Sequence, residues 1–184
     1  DLLGEHGLVG HKFVLDDALV RVPLVTHNLD GVGDRTDDVV QHADVVRTLL
    51  AERDVADDQL EGIDLRTERR EHAVTQRSGT TAVRNLEQVR EHAPDFESPT
   101  PHLSTLTSVR STDHKLLHSE DAVELFEPPD ESTDLAGRRP ATRERLVAAA
   151  EAWLEDHQPG PAARRERELD ADVRNHLSDM GYLV

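Results

Sequence analysis

The first twelve residues constrain the fold most, because glycines recur there at short, regular intervals. The glycines stand three residues apart: Gly4, Gly7 and Gly10. Glycine takes positive φ angles at little steric cost and lets the backbone approach a bound group closely. Three side chains that can carry a positive charge lie on this segment: His6, His11 and Lys12. The pattern predicts a tight, irregular loop that presents cationic groups.

An acidic pair and an apolar run follow this loop. Asp16 and Asp17 precede residues 18–25, in which Arg21 and Pro23 are the only interruptions. We expect Arg21 to form an ion pair with one of the two aspartates. The apolar run predicts a strand, and Pro23 places that strand at a sheet edge or at a strand start. A cationic glycine loop followed by a strand suits an anion site at the rim of an α/β sheet.

The sequence LGEHGLVGHK, followed by LDDALVRVPLV, resembles the segment after the Asp-His-Gly metal-binding motif in type I sulfatases, members of the alkaline-phosphatase superfamily. In that family, the lysine nine residues before the Arg or His of an R/H-V-P-L/I motif contacts the substrate sulfate. Lys12 stands nine residues before Arg21. The resemblance therefore implies that Lys12 binds substrate. One residue more than usual separates Gly7 from Lys12, which leaves His11 as a rival for the position.

Two further segments are similar to the same family. Residues 42–65 resemble its V-D-L-x-P-T-L-L helix and G-x-S/D-L turn, with Arg47 where proline is usual. Residues 106–135 resemble its R-T-x-x-x-K-L-I strand and the E-L-Y-D block of its C-terminal subdomain. The segments follow one another in the family's order. The resemblance implies that residues 1–71 are the C-terminal end of the sulfatase α/β domain and that residues 72–184 form a C-terminal subdomain with antiparallel strands and helices.

The family's nucleophile is absent from this sequence. Sulfatases carry a Cys or Ser in C/S-x-P/A-x-R, but this chain has no cysteine and none of its serines stands in that pattern. The Asp-His metal ligands of the family would precede Asp1. We therefore expect the C-terminal portion of a sulfatase, acting on a sulfate ester when complete and inactive alone. A calcium-like divalent metal is expected for the full-length family member, and none is expected to bind this chain alone.

The resemblance gives His11 and Lys12 their chemical roles. Lys12 would donate to a sulfate oxygen, and His11 would do the same or act as the catalytic acid that protonates the leaving oxygen. Without the resemblance, the two residues are a solvent-exposed loop pair. The alternative function is that of a non-catalytic acidic interaction or structural module.

The net charge of the chain limits the classes of molecule that it is expected to bind. The chain has 38 acidic and 21 basic residues, a net charge of −17, and its only lysines are Lys12 and Lys115. Such a surface resembles that of proteins from salt-in halophiles, in which high salt screens self-repulsion. The charge disfavours nucleic acid, and no run approaches the roughly 20 apolar residues of a membrane span. The absence of cysteine excludes disulfides but leaves the compartment open, with the cytoplasm as first choice.

Periodicity in the remaining sequence predicts an α/β fold: the C-terminal part of a sulfatase-like central sheet plus a small antiparallel sheet covered by a helix. The predicted strands are residues 72–76, 103–111, 114–118 and 122–127, the last three forming a meander. The predicted helices are residues 39–53, with an apolar face on a sheet, 82–92, 143–157 after an opening Pro140, and 162–180. Leu146, Val147 and Ala150 belong to the apolar stripe that would cover the small sheet.

Overall fold

The computed structural model describes residues 1–32, 37–55 and 60–157. By its internal contacts the chain forms two compact units, Asp1–Ala152 and Trp153–Val184. The described residues have a mixed α/β architecture with a four-stranded antiparallel sheet, a two-stranded sheet and helices. The domain boundary predicted near residue 71 comes from the family resemblance, and it stays a prediction.

Ten labelled elements make up the described chain. The strands are β1 (Leu2–Leu3), β2 (Val9–Gly10), β3 (Ala73–Arg77), β4 (Leu106–Arg110), β5 (Lys115–His118) and β6 (Val123–Phe126). The helices are α1 (Asp17–Val20), α2 (His42–Ala51), α3 (Gly79–His92) and α4 (Pro140–Asp156). No helix in the described ranges is both long and apolar enough to cross a membrane. The predicted helix at 162–180 lies outside the described residues.

The larger sheet is a meander in the order β3-β4-β5-β6, with every neighbouring pair antiparallel. One row of paired residues crosses all four strands: Val74, Val109, Leu116 and Leu125. Val109, Leu116 and Leu125 are fully buried in one cluster with Leu146 and Ala150 of α4. Burying each such leucine contributes about 1.5–3 kcal/mol. The prediction of a small antiparallel sheet covered by a helix is confirmed.

The opposite face of this sheet is covered by the segment that follows Lys12. Strand residues alternate between the two faces, so Leu117 lies on the face opposite Leu116. Leu15 is buried in one cluster with Leu106, Leu117 and Phe126, and Val20 packs against that cluster. The sheet is therefore covered on both faces, and the N-terminal segment is part of its core.

The N-terminal segment also packs on α3. Leu2, Phe13, Val14 and Leu86 form a third buried cluster, and Phe96 packs against it. The rings of Phe13 and Phe96 are tilted, with centroids 5.9 Å apart. Aromatic pairs at this separation add to the stabilisation from burial. The residues directly after Lys12 are thus fixed against two different elements.

The strand predicted at residues 18–25 is wrong. Asp17–Val20 form a single helical turn, and residues 21–26 follow with no strand assignment. A strand needs a neighbour that accepts and donates its backbone hydrogen bonds, and no described segment pairs with residues 21–26. The apolar side chains of this stretch remain exposed, and Val25 is 88% exposed.

The expected apolar contact face of α2 is also wrong, although the helix itself is confirmed. The buried residues of α2 are Asp44 and Thr48, whereas Val46 and Leu49 are exposed, Leu49 to 59%. Asp44 binds backbone amides and Arg70, and Thr48 accepts a hydrogen bond from the amide of Leu65 at 3.0 Å. Polar contacts with the following loop therefore determine which face is buried.

Candidate functional site

The glycine segment at the start of the chain is a small hairpin. β1 and β2 pair antiparallel, with Leu2 opposite Gly10 and Leu3 opposite Val9. Gly4, Gly7 and Gly10 all have positive φ, as the spacing predicted. At Gly10, φ is 105° and no atom lies within 4 Å of an added Cβ, so the backbone angle is what favours glycine there.

His11 and Lys12 leave this hairpin with both side chains exposed. The Nδ1 atom of His11 donates to Asp1 Oδ1 at 2.9 Å. Lys12 forms no ion pair with any described residue. The structure thus places the two predicted site residues next to each other at an exposed position, with Asp1 as a partner of His11.

His6 and the acidic pair join the hairpin to the segment behind it. The Nε2 atom of His6 lies 2.5 Å from Asp16 Oδ2. Asp17 makes different contacts, described below. Neither aspartate pairs with Arg21, so the ion pair expected for Arg21 is wrong. Asp16 contacts His6 instead, and Asp17 pairs with Lys115.

A buried cluster of charged residues includes Asp17, which lies five residues after Lys12 in the sequence. Lys115 on β5 is 0% exposed. Its Nζ atom donates to Asp17 Oδ1 at 3.2 Å and to Glu131 Oε2 at 2.8 Å. The backbone amide of Asp17 donates to Glu131 Oε1 at 2.9 Å. Arg110 Nε lies 3.5 Å from Asp17 Oδ2, so two cations and two carboxylates balance one another.

Burial and hydrogen bonding act in opposite directions on the pKa of Glu131. Burial raises the pKa of Glu131, and the hydrogen bonds from Lys115 and from the Asp17 amide only partly offset that rise. The Oδ2 atom of Asp17 is buried and has no hydrogen-bond partner in the described structure. The cluster holds its charges in a poorly hydrated place, which makes each charge depend on its partners.

Sequence reasoning missed this cluster. The one available signal was a lysine in a predicted strand of a chain that otherwise uses arginine. Nothing local pointed to its partners, because Asp17 lies 98 residues and Glu131 lies 16 residues away in sequence.

A second buried polar group contains Ser119, His102 and Glu124. His102 is fully buried; its Nε2 atom donates to Glu124 at 2.8 Å, and its Nδ1 atom lies 2.7 Å from Ser119 Oγ. These residue types form hydrolytic triads elsewhere. Here, however, Ser119 Oγ accepts the amide hydrogens of residues 121 and 122 at 3.2 and 3.3 Å. Both of its lone pairs are used, so the group is a structural contact between the loop at His102 and the β5–β6 hairpin.

The metal that the family resemblance implies has no fitting donor set in the described part of the chain. Within those ranges, no group of three or more His, Cys, Asp or Glu side chains is placed to hold a metal ion. No chemical step on this chain is therefore assigned to a metal.

Comparison of the chain with protein-family models, with curated proteins and with solved structures gives no match.

Proposed function

We propose that this chain is the C-terminal portion of a sulfatase, a sulfuric ester hydrolase, and that Lys12 binds the sulfate group of the substrate. The observation that carries the proposal is the setting of Lys12. In a chain with 38 acidic residues, this lysine is exposed, has no ion pair with a described residue and directly precedes buried Phe13. An ammonium without a carboxylate partner keeps its attraction for an incoming anion.

The chemistry at this position follows from the donors. The ammonium of Lys12 donates to a sulfate oxygen and offsets negative charge on the ester oxygens. His11 donates to a second sulfate oxygen or protonates the leaving oxygen. Its contact with Asp1 is solvent-exposed, and exposed pairs are worth about 0–1 kcal/mol. His11 can therefore exchange that partner for a substrate oxygen.

The stretch after α1 supports a place in a larger α/β domain. Residues 21–26 contain the apolar residues Val22, Leu24 and Val25, and they lack a paired strand in the described structure. Val22, Leu24 and Val25 are exposed. Pairing with a strand of the nucleophile-bearing part would satisfy the backbone and bury these side chains. In the isolated chain, the same stretch is an aggregation risk.

The test joins the chain to an α/β segment that carries the formylglycine nucleophile and its metal ligands, and measures hydrolysis of an aryl sulfate. Replacing Lys12 by alanine should lower kcat/KM by roughly 100-fold, the usual effect of losing one donor to a developing anion. His11→Ala tests the rival position. Arg84→Ala removes an exposed cation from α3 and should change the rate less than about twofold.

Two results would contradict the proposal. One is a folded, joined protein that hydrolyses no sulfate ester. The other is an active protein in which Lys12→Ala and His11→Ala both behave like Arg84→Ala. The first result would favour the alternative, an acidic interaction or structural module, for which the exposed apolar residues near Val25 would be the contact surface. The second result would remove the sulfate-binding role of Lys12 and His11.

A further inference from the structure

We propose that Lys115, Asp17 and Glu131 form a charge clamp that fixes the segment from Lys12 to Asp17 to the antiparallel sheet. Lys115 and Glu131 are then residues that position Lys12. The clamp is a property of this chain by itself. Its meaning for sulfate binding rests on the proposed function above.

The clamp joins three distant parts of the chain at one point. Asp17 begins α1, Lys115 begins β5, and Glu131 lies in the loop after β6. The sequence separations are 98 residues between Asp17 and Lys115 and 114 between Asp17 and Glu131. A single ammonium group contacts both carboxylates, at 3.2 and 2.8 Å. The N-terminal segment is thereby attached to two elements of the subdomain.

The register of the sheet explains why the ammonium group faces the N-terminal segment. Lys115 is opposite Arg110 on β4 and Phe126 on β6. It lies two residues from Leu117, so both side chains point to the face that Leu15 covers. Arg110 on the same face is close to Asp17. The two cations therefore meet Asp17, whereas the neighbouring Asp16 binds His6.

The distance along the chain from the clamp to Lys12 is short. Only four residues separate Lys12 from Asp17, and three of them, Phe13, Val14 and Leu15, are buried. Phe13 has a φ of 77°, which turns the chain directly after Lys12. Because these intervening residues are packed in the core, the position of Asp17 largely determines where Lys12 lies on the surface.

The alternative explanation is that Lys115 only fills space in the core. The two explanations differ in how the charges should behave. A space-filling residue tolerates methionine, whereas replacing Lys115 by methionine in a clamp leaves Asp17 and Glu131 buried next to each other with only Arg110 to balance them. Changing Glu131 to glutamine as well would leave Asp17 opposite Arg110 and should relieve that repulsion.

The experiment is hydrogen exchange by mass spectrometry on the full chain in molar salt. Asp17→Asn keeps the Lys115–Glu131 pair and should speed exchange of residues 13–20 about tenfold or more, while residues 106–118 change less than about threefold. Lys115→Met should act in the same direction and more strongly. Lys115→Met combined with Glu131→Gln should recover part of the lost protection.

Arg84→Met is the matched control, since it removes an exposed cation from α3. The clamp is overturned if residues 13–20 exchange at the parent rate in Asp17→Asn, or if the double variant exchanges as fast as Lys115→Met. Should Lys115→Met fail to fold, Asp17→Asn still gives the answer.

The proposed function has its own readout in the same samples. Isotope-labelled lysine gives signals from only Lys12 and Lys115, and inorganic sulfate should shift the Lys12 signal in the parent more than in Asp17→Asn. Faster exchange without any sulfate response in the parent would support the clamp and count against the sulfate site. A sulfate response in the parent, with unchanged hydrogen exchange in Asp17→Asn, would support the sulfate site and count against the clamp.

Discussion

Asp44 is the residue whose replacement by asparagine should destabilise this chain most clearly. Its side chain is 0% exposed, on a helix whose apolar residues face solvent. Oδ1 accepts the amide of Ile63 at 3.0 Å, and Oδ2 accepts the amide of Gln41 at 2.7 Å. Arg70 reaches both oxygens, with Nε at 2.9 Å from Oδ2 and Nη2 also bonded to Oδ1. Asparagine keeps the shape but removes the charge and one acceptor.

The magnitude follows from what is left behind. The amide group of asparagine would face at least one of these donors, and Arg70, whose side chain is 18% exposed, would lose its counter-charge. Removing one partner of a buried ion pair costs about 3–5 kcal/mol. Because Arg70 keeps some contact with water, we expect about 3 kcal/mol. With a urea slope of about 2 kcal/mol/M, the unfolding midpoint should fall by about 1.5 M.

The assay is urea unfolding in molar salt, followed by circular dichroism. Asp130→Asn is the control, because the side chain of that aspartate is exposed and bonds only Ser132 nearby; it should leave the unfolding midpoint nearly unchanged. A midpoint for Asp44→Asn equal to that of Asp130→Asn would refute the reasoning.

The same contacts predict how the difference depends on pH. Burial raises the pKa of Asp44, but the hydrogen bonds from Arg70 and from the amides of Ile63 and Gln41 outweigh burial, and the net pKa is lowered. A lowered folded-state pKa stabilises the fold above the unfolded value of about 3.9, and this stability is lost as pH falls through the folded pKa. The parent and Asp44→Asn should therefore converge in stability at strongly acidic pH.

Two further predictions concern backbone packing and net charge. Gly62→Ala should lower stability by about 1–3 kcal/mol in thermal unfolding, because the added Cβ would lie 2.1 Å from the carbonyl oxygen of Ala43. Gly137→Ala, where no atom lies within 4 Å of the added Cβ, is the matched control, and an equal loss in both would contradict the steric argument. With a net charge of −17, the chain should lose structure at low salt relative to molar salt. Equal circular dichroism in the two conditions would count against that expectation.

The sheet and its covering helix were predictable because their signals are local. Val123 and Leu125 stand two residues apart and belong to the same cluster on one face of the sheet, and Leu146 and Ala150 recur with a helical period. Each pattern needs only the element that carries it. The turns that join β4, β5 and β6 are short as well, so the antiparallel order of these three strands follows directly from sequence order.

The contacts of α2 and the stretch at 21–26 were not predictable in this way. Asp44 reads as a surface residue by composition, and it is buried because Arg70, 26 residues later, comes to it. The apolar stretch at 21–26 has the pattern of a strand, yet a strand forms only where another segment supplies the paired backbone. Neither fact is contained in the local sequence. Both depend on which distant segment packs against or pairs with the residues concerned.

The two lysines of the chain show how the candidate site depends on the rest of the fold. Lys115 is held by two carboxylates, which a compact ammonium can contact at one point. Lys12 has no described carboxylate partner and remains available to an anion. The clamp at Lys115 forms only when β5, the loop at Glu131 and α1 are all in place. The position of Lys12 therefore depends on the completed tertiary structure. Substitutions at Lys115 should change that position indirectly, without a direct contact between the two lysines.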